Sequence, residues 1–134
     1  LLPMAKWTGI VAISRGGLVP AAILAREMEI RIVDTICIST YEDKQRGEVN
    51  LLKSPERACA EDGRGWLLVD DLVDTGVTMR AARNLLPHAH VATVYAKPSG
   101  KPYVDTYVHE VAQSTWIHFP WDTDVQVTPP LARG

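Results

Sequence analysis

Four short runs, apolar on both faces, constrain this chain more than any other feature. They are "WTGIVAI" from Trp7, "RIVDTICIS" from Arg31, "GWLLV" from Gly65 and "HVATVYA" from His90. Two of the intervals between them carry helix formers. Val19 to Met28 has Pro20 in its first turn, where the missing N–H costs nothing, and Thr78 to Leu86 reads "TMRAARNLL". Strands without a polar face, alternating with helices, predict an α/β fold built on a mostly parallel sheet flanked by helices. Ligands of such sheets bind in the loops beyond the carboxyl ends of the strands.

Length and composition set the scale. The 134 residues, 46% hydrophobic and 22% charged, suit one globular domain with one real core. The expected core covers about residues 7–97. Beyond Lys97, Pro98, Pro102, Pro120, Pro129 and Pro130 break up the chain, so 98–134 is expected to form a small hood, an irregular cap over the sheet. Thr40 to Arg64, about 25 mostly charged and polar residues with Gly47, Pro55 and Gly63, is expected to be a flexible loop that serves as a lid. The first residue is Leu, and an N-terminal segment is expected to be missing.

A formal net charge of −2 makes no electrostatic case for a nucleic-acid or bilayer partner. No apolar run approaches the roughly 20 residues of a membrane span, and "LLPMAKW" lacks the basic start and apolar core of a signal peptide. Cys37 and Cys59 form neither a disulfide framework nor a zinc spacing, which points to a reducing, cytosolic setting. His88, His90 and His109 lack metal-ligand spacing, and Trp7, Trp66 and Trp121 read as packing groups.

The chemistry is concentrated in "LLVDDLVDTGVTM", residues 67–79. Asp70, Asp71 and Asp74 repel one another at neutral pH, and folding alone gives no reason to gather them. The strand is expected to end near Asp70. Gly76 then allows backbone N–H groups to approach an anion, with Thr75 and Thr78 adding hydroxyls at the start of the next helix. The stretch differs from a Walker loop, which needs GxxxxGK followed by Ser or Thr. Carboxylates beside a phosphate cradle can accept hydrogen bonds from sugar hydroxyls, directly or through Mg²⁺. Acids, hydroxyls and phosphate together describe a ribose phosphate.

"VDDLVDTGVT" resembles the phosphoribosyl-diphosphate signature of the type I phosphoribosyltransferases. "AISRGGLVPAAILARE", "ICISTYED", "VYAKPSGKPYVDTYV" and "TWIHFPWD" further resemble the bacterial xanthine-guanine phosphoribosyltransferases, in order, over most of residues 7–130. The signature alone marks the superfamily, whereas Lys97 in "AKP" and Trp116-Ile117 in "TWI" point to a 6-oxopurine enzyme. The resemblance implies transfer of phosphoribose from 5-phospho-α-D-ribose 1-diphosphate to guanine, xanthine and, less well, hypoxanthine, with Mg²⁺ as cofactor.

It also implies roles. Asp70 and Asp71 accept the ribose 2′ and 3′ hydroxyls, with Asp71 the metal contact. Asp74 faces purine N7 as general base, and Thr75, Gly76, Val77 and Thr78 hold the 5′-phosphate. Arg15, Gly16 and Gly17 cradle the diphosphate, over which Arg46 closes, with Thr40 and Tyr41 at the hinge of the lid. Lys97 donates to O6, Trp116 stacks on the base and Ile117 offers its carbonyl. A cytoplasmic homotetramer is implied, and peripheral association with the cytoplasmic face of the inner membrane is left open.

Two residues depart from the pattern. Val77 stands where the xanthine-guanine enzymes have a second glycine; a β-branched residue there needs φ below zero, so the loop must present its N–H in that geometry. His118 follows "TWI" where glutamate is usual, which leaves the rank of the bases open. The alternatives are a hypoxanthine-guanine enzyme with poor use of xanthine, and a regulator that binds phosphoribosyl diphosphate without catalysis. Asp74 and Lys97 argue against the regulator, because a sensor of the donor needs no group that faces a base.

Overall fold

The computed structural model describes residues 6–40 and 49–121. Its elements run β1 (Gly9–Ser14), α1 (Leu18–Glu27), β2 (Val33–Thr40), β3 (Val49–Lys53), α2 (Glu56–Ala60), β4 (Trp66–Val73), α3 (Val77–Leu85), β5 (His90–Ala96) and β6 (Thr106–Glu110). A 3-10 turn at Lys101–Tyr103 separates the last two strands. All six strands form one sheet in the order β3-β2-β1-β4-β5-β6, parallel throughout except for β3. No helix among the described residues is long and apolar enough to cross a membrane.

The double-sided apolar pattern has the expected cause. Alternate residues of β1 and β4 enter two separate cores, since successive strand side chains point to opposite faces. Ile10, Ala12, Leu67 and Val69 pack with Ala21 and Ile30 under α1. Val11, Ile13, Trp66 and Leu68 pack on the other side with Ala58 of α2 and with Met79 and Ala82 of α3.

The structure departs from the sequence expectation in three places. The 40–64 interval is not all loop: Val49–Lys53 forms an antiparallel edge strand on β2, and Glu56–Ala60 a short helix. Every residue of β3 is exposed, so no apolar alternation betrays it. Its place comes from backbone pairing and from Lys53, which bridges Asp34 on β2 and donates to the Thr35 carbonyl. Burial raises the Asp34 carboxyl, but Lys53 and the Thr35 amide outweigh it and hold the group below the usual carboxylate range. Tyr41 and Arg46 lie outside the described residues, as does the rest of 41–48.

The second departure is β4, which continues through both acids to Val73. The ladder to β5 pairs Asp70 with Thr93, Leu72 with Tyr95 and Val73 with Ala96, and these hydrogen bonds override the poor strand propensity of aspartate. The third is the segment after Lys97, which is not merely an irregular cap. Thr106–Glu110 extends the sheet by pairing in parallel with β5.

Candidate active site

Strand order reverses between β1 and β4. The chain steps outward from β1 to β2, then crosses back to lay β4 on the other side of β1. Loops leaving adjacent strands in opposite directions open a crevice at their carboxyl ends. Residues Arg15 to Gly17 leave β1 there, and Asp74 to Gly76 leave β4 beside them. Lys97 follows β5 and ties back to β4, its amide donating to the Val73 carbonyl at 3.0 Å.

The two strand acids diverge because they are consecutive in a strand. Asp70 is partly buried and borders a cavity of about 120 Å³ that it shares with Asp74, Thr75, Gly76, Val77 and Thr78. Asp71 is only 8% exposed and lies against the β1 loop. A Cβ built on Gly16 would come within 2.6 Å of Asp71 Oδ1, and one on Gly17 within 2.3 Å of the Val69 carbonyl oxygen. Both glycines are therefore required by close approach of the β1 loop to strand β4. Arg15 beside them is exposed. Trp121 Nε1 donates to Asp71 Oδ2 at 3.1 Å while its ring stacks on Phe119 at 5.0 Å. Trp121 thus does more than the packing expected of it.

The stretch expected to cradle an anion lies at the start of α3. Gly76 has φ +93°, the left-handed conformation that side chains resist, and it starts α3 without a side-chain cap. The first N–H groups of α3 consequently have no partner within the helix and lie at the positive end of the helix dipole. Val77 is the first helical residue and carries no positive φ, so the left-handed turn falls wholly on Gly76. That explains why a β-branched residue is accommodated in the loop. A Cβ on Gly76 would also meet the Tyr103 ring at 2.5 Å, and one on Gly100 would meet Val73 at 2.5 Å. The turn after β5 is pressed against the acidic loop.

Lys97 is 5% exposed and forms an ion pair with Asp74, Nζ to Oδ2 at 3.4 Å. A strand-end lysine ordinarily extends its amine into water; this one is buried against Asp74. Asp74 is exposed, and its other carboxylate oxygen accepts from Gln113 Nε2 at 2.8 Å. Through Gln113, the segment carrying Trp116 and Ile117 reaches the acidic loop. Trp116 is 79% exposed, with the His118 ring edge-on to it at 6.0 Å. Ile117 is half-buried and Arg46 lies outside the described residues.

Sequence reasoning missed Gln113, Trp121, Gly100 and Tyr103. Each acts through a contact distant in sequence, which no local pattern displays. Among the described residues, no cluster of three or more His, Cys, Asp or Glu is arranged to hold a metal.

The crevice at the strand reversal, with its uncapped helix start and paired acids, belongs to a recognisable class: residues 4–128 match the phosphoribosyl transferase domain family. The chain is 58% identical over 132 residues, 98% of its own length and 80% of the relative's, to a xanthine-guanine phosphoribosyltransferase of Desulfotalea psychrophila. It is 58% identical over 123 residues, covering 92% and 74% of the two chains, to one of Chromohalobacter salexigens. A purine phosphoribosyltransferase from Pyrococcus horikoshii has the same fold, with a TM-score of 0.73 over 92% of this chain and 83% of that one, at 23% identity. The chain belongs to the xanthine-guanine phosphoribosyltransferases.

Proposed function

We propose that the chain salvages 6-oxopurines, converting guanine, xanthine and, less readily, hypoxanthine with 5-phospho-α-D-ribose 1-diphosphate into the nucleoside monophosphates and diphosphate. The observation that carries this reading is the buried Lys97 paired with Asp74 beside the open start of α3. A donor-only amine and an acceptor-only carboxylate are what the O6 and N7–H edge of a 6-oxopurine needs. The amino group of adenine offers Lys97 no acceptor.

In the reaction the purine N9–C1′ bond forms as the bond from C1′ to the diphosphate oxygen breaks. The electron pair leaves with diphosphate, and the N7 proton passes to Asp74. Asp70 and Asp71 hold the ribose hydroxyls and stabilise the positive charge that develops on the sugar. The N–H groups of Val77 and Thr78, with the hydroxyls of Thr75 and Thr78, hold the 5′-phosphate. Arg15, Gly16 and Gly17 take the diphosphate, Arg46 closes over it, and Trp116 stacks on the base while the Ile117 carbonyl meets its pyrimidine edge.

Mg²⁺ fits this donor set. It binds oxygen and keeps waters and substrate phosphates as ligands, so one carboxylate suffices, and Asp71 stands against the diphosphate loop. When bound, the ion neutralises charge on the departing diphosphate. The assembly is proposed to be a cytoplasmic homo-oligomer, a tetramer by resemblance, which sedimentation at working concentration tests.

The functional experiment supplies the donor and Mg²⁺ with guanine, xanthine, hypoxanthine or adenine in parallel. Nucleotide from guanine and xanthine but not from adenine is expected. Absence of product with every base, while the donor still binds, would replace the transferase reading by that of a donor-binding regulator.

A further inference from the structure

We propose that Gln113 is a positioning residue that holds the Asp74 carboxylate in the orientation proton transfer requires. The inference rests on the reading of Asp74 as the base that receives the N7 proton. The Asp74 side chain is 53% exposed on a loop, and nothing in its own segment fixes its rotamer. Lys97 holds Oδ2, but in the proposed complex that ammonium is shared with purine O6. Orientation then depends on the other oxygen, Oδ1, and there the Gln113 amide donates at 2.8 Å.

The orientation of Gln113 is itself determined. Its Oε1 accepts the Ser99 N–H at 2.9 Å, and a main-chain N–H can only donate. The NH₂ end must therefore face Asp74, whose carboxylate can only accept. The same Nε2 lies 3.4 Å from the Asp74 carbonyl oxygen, so the amide grips both the side chain and the main chain of the acid. One side chain thus ties the acidic loop to the turn after Lys97, three positions before the tryptophan proposed to carry the base. Misplacing a reacting group by about an ångström can cost on the order of a hundredfold in rate, so such a clamp has a measurable consequence.

A loop tether without catalytic consequence would use the same contacts, and Gln113→Glu separates the two. It keeps an oxygen for the Ser99 N–H and turns the donor facing Asp74 into a repelling carboxylate. Steady-state kinetics on Gln113→Glu and Gln113→Ala, each also in an Asp74→Ala background, should be read together with thermal midpoints. We expect kcat with guanine to fall about tenfold or more in both single variants. The KM for the donor stays within about twofold, and neither change lowers turnover further once Asp74 is alanine.

Wild-type kcat in Gln113→Glu would reduce Gln113 to a tether. An undiminished effect of either substitution in the Asp74→Ala background would mean that it does not act through Asp74. If Gln113→Glu fails to fold, Gln113→Ala decides by the same comparison. Full turnover in Asp74→Ala alone would instead overturn the reading of Asp74 as the base, and the inference with it.

Discussion

Lys97 and Asp74 are separated by 23 positions in the chain, yet the amine of one lies 3.4 Å from the carboxylate of the other. Each follows the carboxyl end of one of two adjacent parallel strands, β5 and β4, and the register that pairs Val73 with Ala96 brings them level. An ion pair with one buried and one exposed member is poorly optimised for stability, because the buried charge pays desolvation that the exposed partner only partly offsets. Its geometry suits a site in which the pair opens to admit a base.

Replacing Asp74 by Asn should lower kcat by about 10²–10⁴ while leaving the affinity for phosphoribosyl diphosphate within about twofold. Kinetics in the two substrates, with donor binding measured separately by calorimetry, provide the check. An equal loss of turnover and donor binding would mean that Asp74 holds the donor and does not move the proton.

Lys97→Met conserves the length and apolar stem of a buried side chain but removes its only donor. We expect the KM for guanine to rise by about ten- to a hundredfold, the size of one hydrogen bond from a charged group. Discrimination against adenine should narrow and the KM for the donor should not move. A KM for guanine equal to wild type would exclude Lys97 from base recognition.

Gly76→Ala meets two obstacles, a φ of +93° and a Tyr103 ring 2.5 Å from the new Cβ. The left-handed conformation alone costs about 1–2 kcal/mol. Stability by denaturant titration should fall by at least that amount, and the KM for the donor should rise as the N–H groups at the start of α3 shift. Adding Tyr103→Ala should restore only the steric part. Complete recovery in the double variant would show that the backbone conformation contributes nothing.

The Asp34–Lys53 pair, which pins the exposed strand β3 to β2, gives the stability a dependence on pH. Burial raises the Asp34 carboxyl, but Lys53 and the Thr35 amide together outweigh it, so its folded pKa lies below the unfolded one. A group shifted in that direction stabilises above its unfolded pKa and loses its contribution as pH falls through the folded value. Both side chains are partly exposed, which limits the effect to about 0.2–1 kcal/mol. Asp34→Asn should therefore be less stable than wild type at pH 7, and the difference should vanish as pH falls below the lowered folded value. A gap that persists at low pH would assign the loss to packing.

Much of the site was legible in the sequence for physical reasons that differ from residue to residue. Gly76 and the two threonines announce an anion cradle because backbone freedom and hydroxyl chemistry are properties of single residues. The four runs that pack the sheet were visible because parallel strands must be apolar on both faces. By contrast, β3 is exposed along its whole length and β6 is short, so neither leaves a periodic trace; both exist because a neighbouring strand offers a ladder. The extension of β4 through Asp70 and Asp71 has the same origin, since local propensity argues for a turn there.

By itself, then, the sequence determined the α/β class, the acidic glycine-bearing loop and the family, because these depend on periodicity and on residues whose chemistry is local. Only the tertiary structure decided that Lys97 is buried against Asp74, that Gln113 grips the same acid, that Trp121 donates to Asp71 and that Gly16 must lack a side chain to sit against it. Each of these is a contact between segments 23 to 55 positions apart. Such contacts arise from the order in which strands are laid into the sheet, and that order is a property of the packed chain that no short stretch of residues encodes.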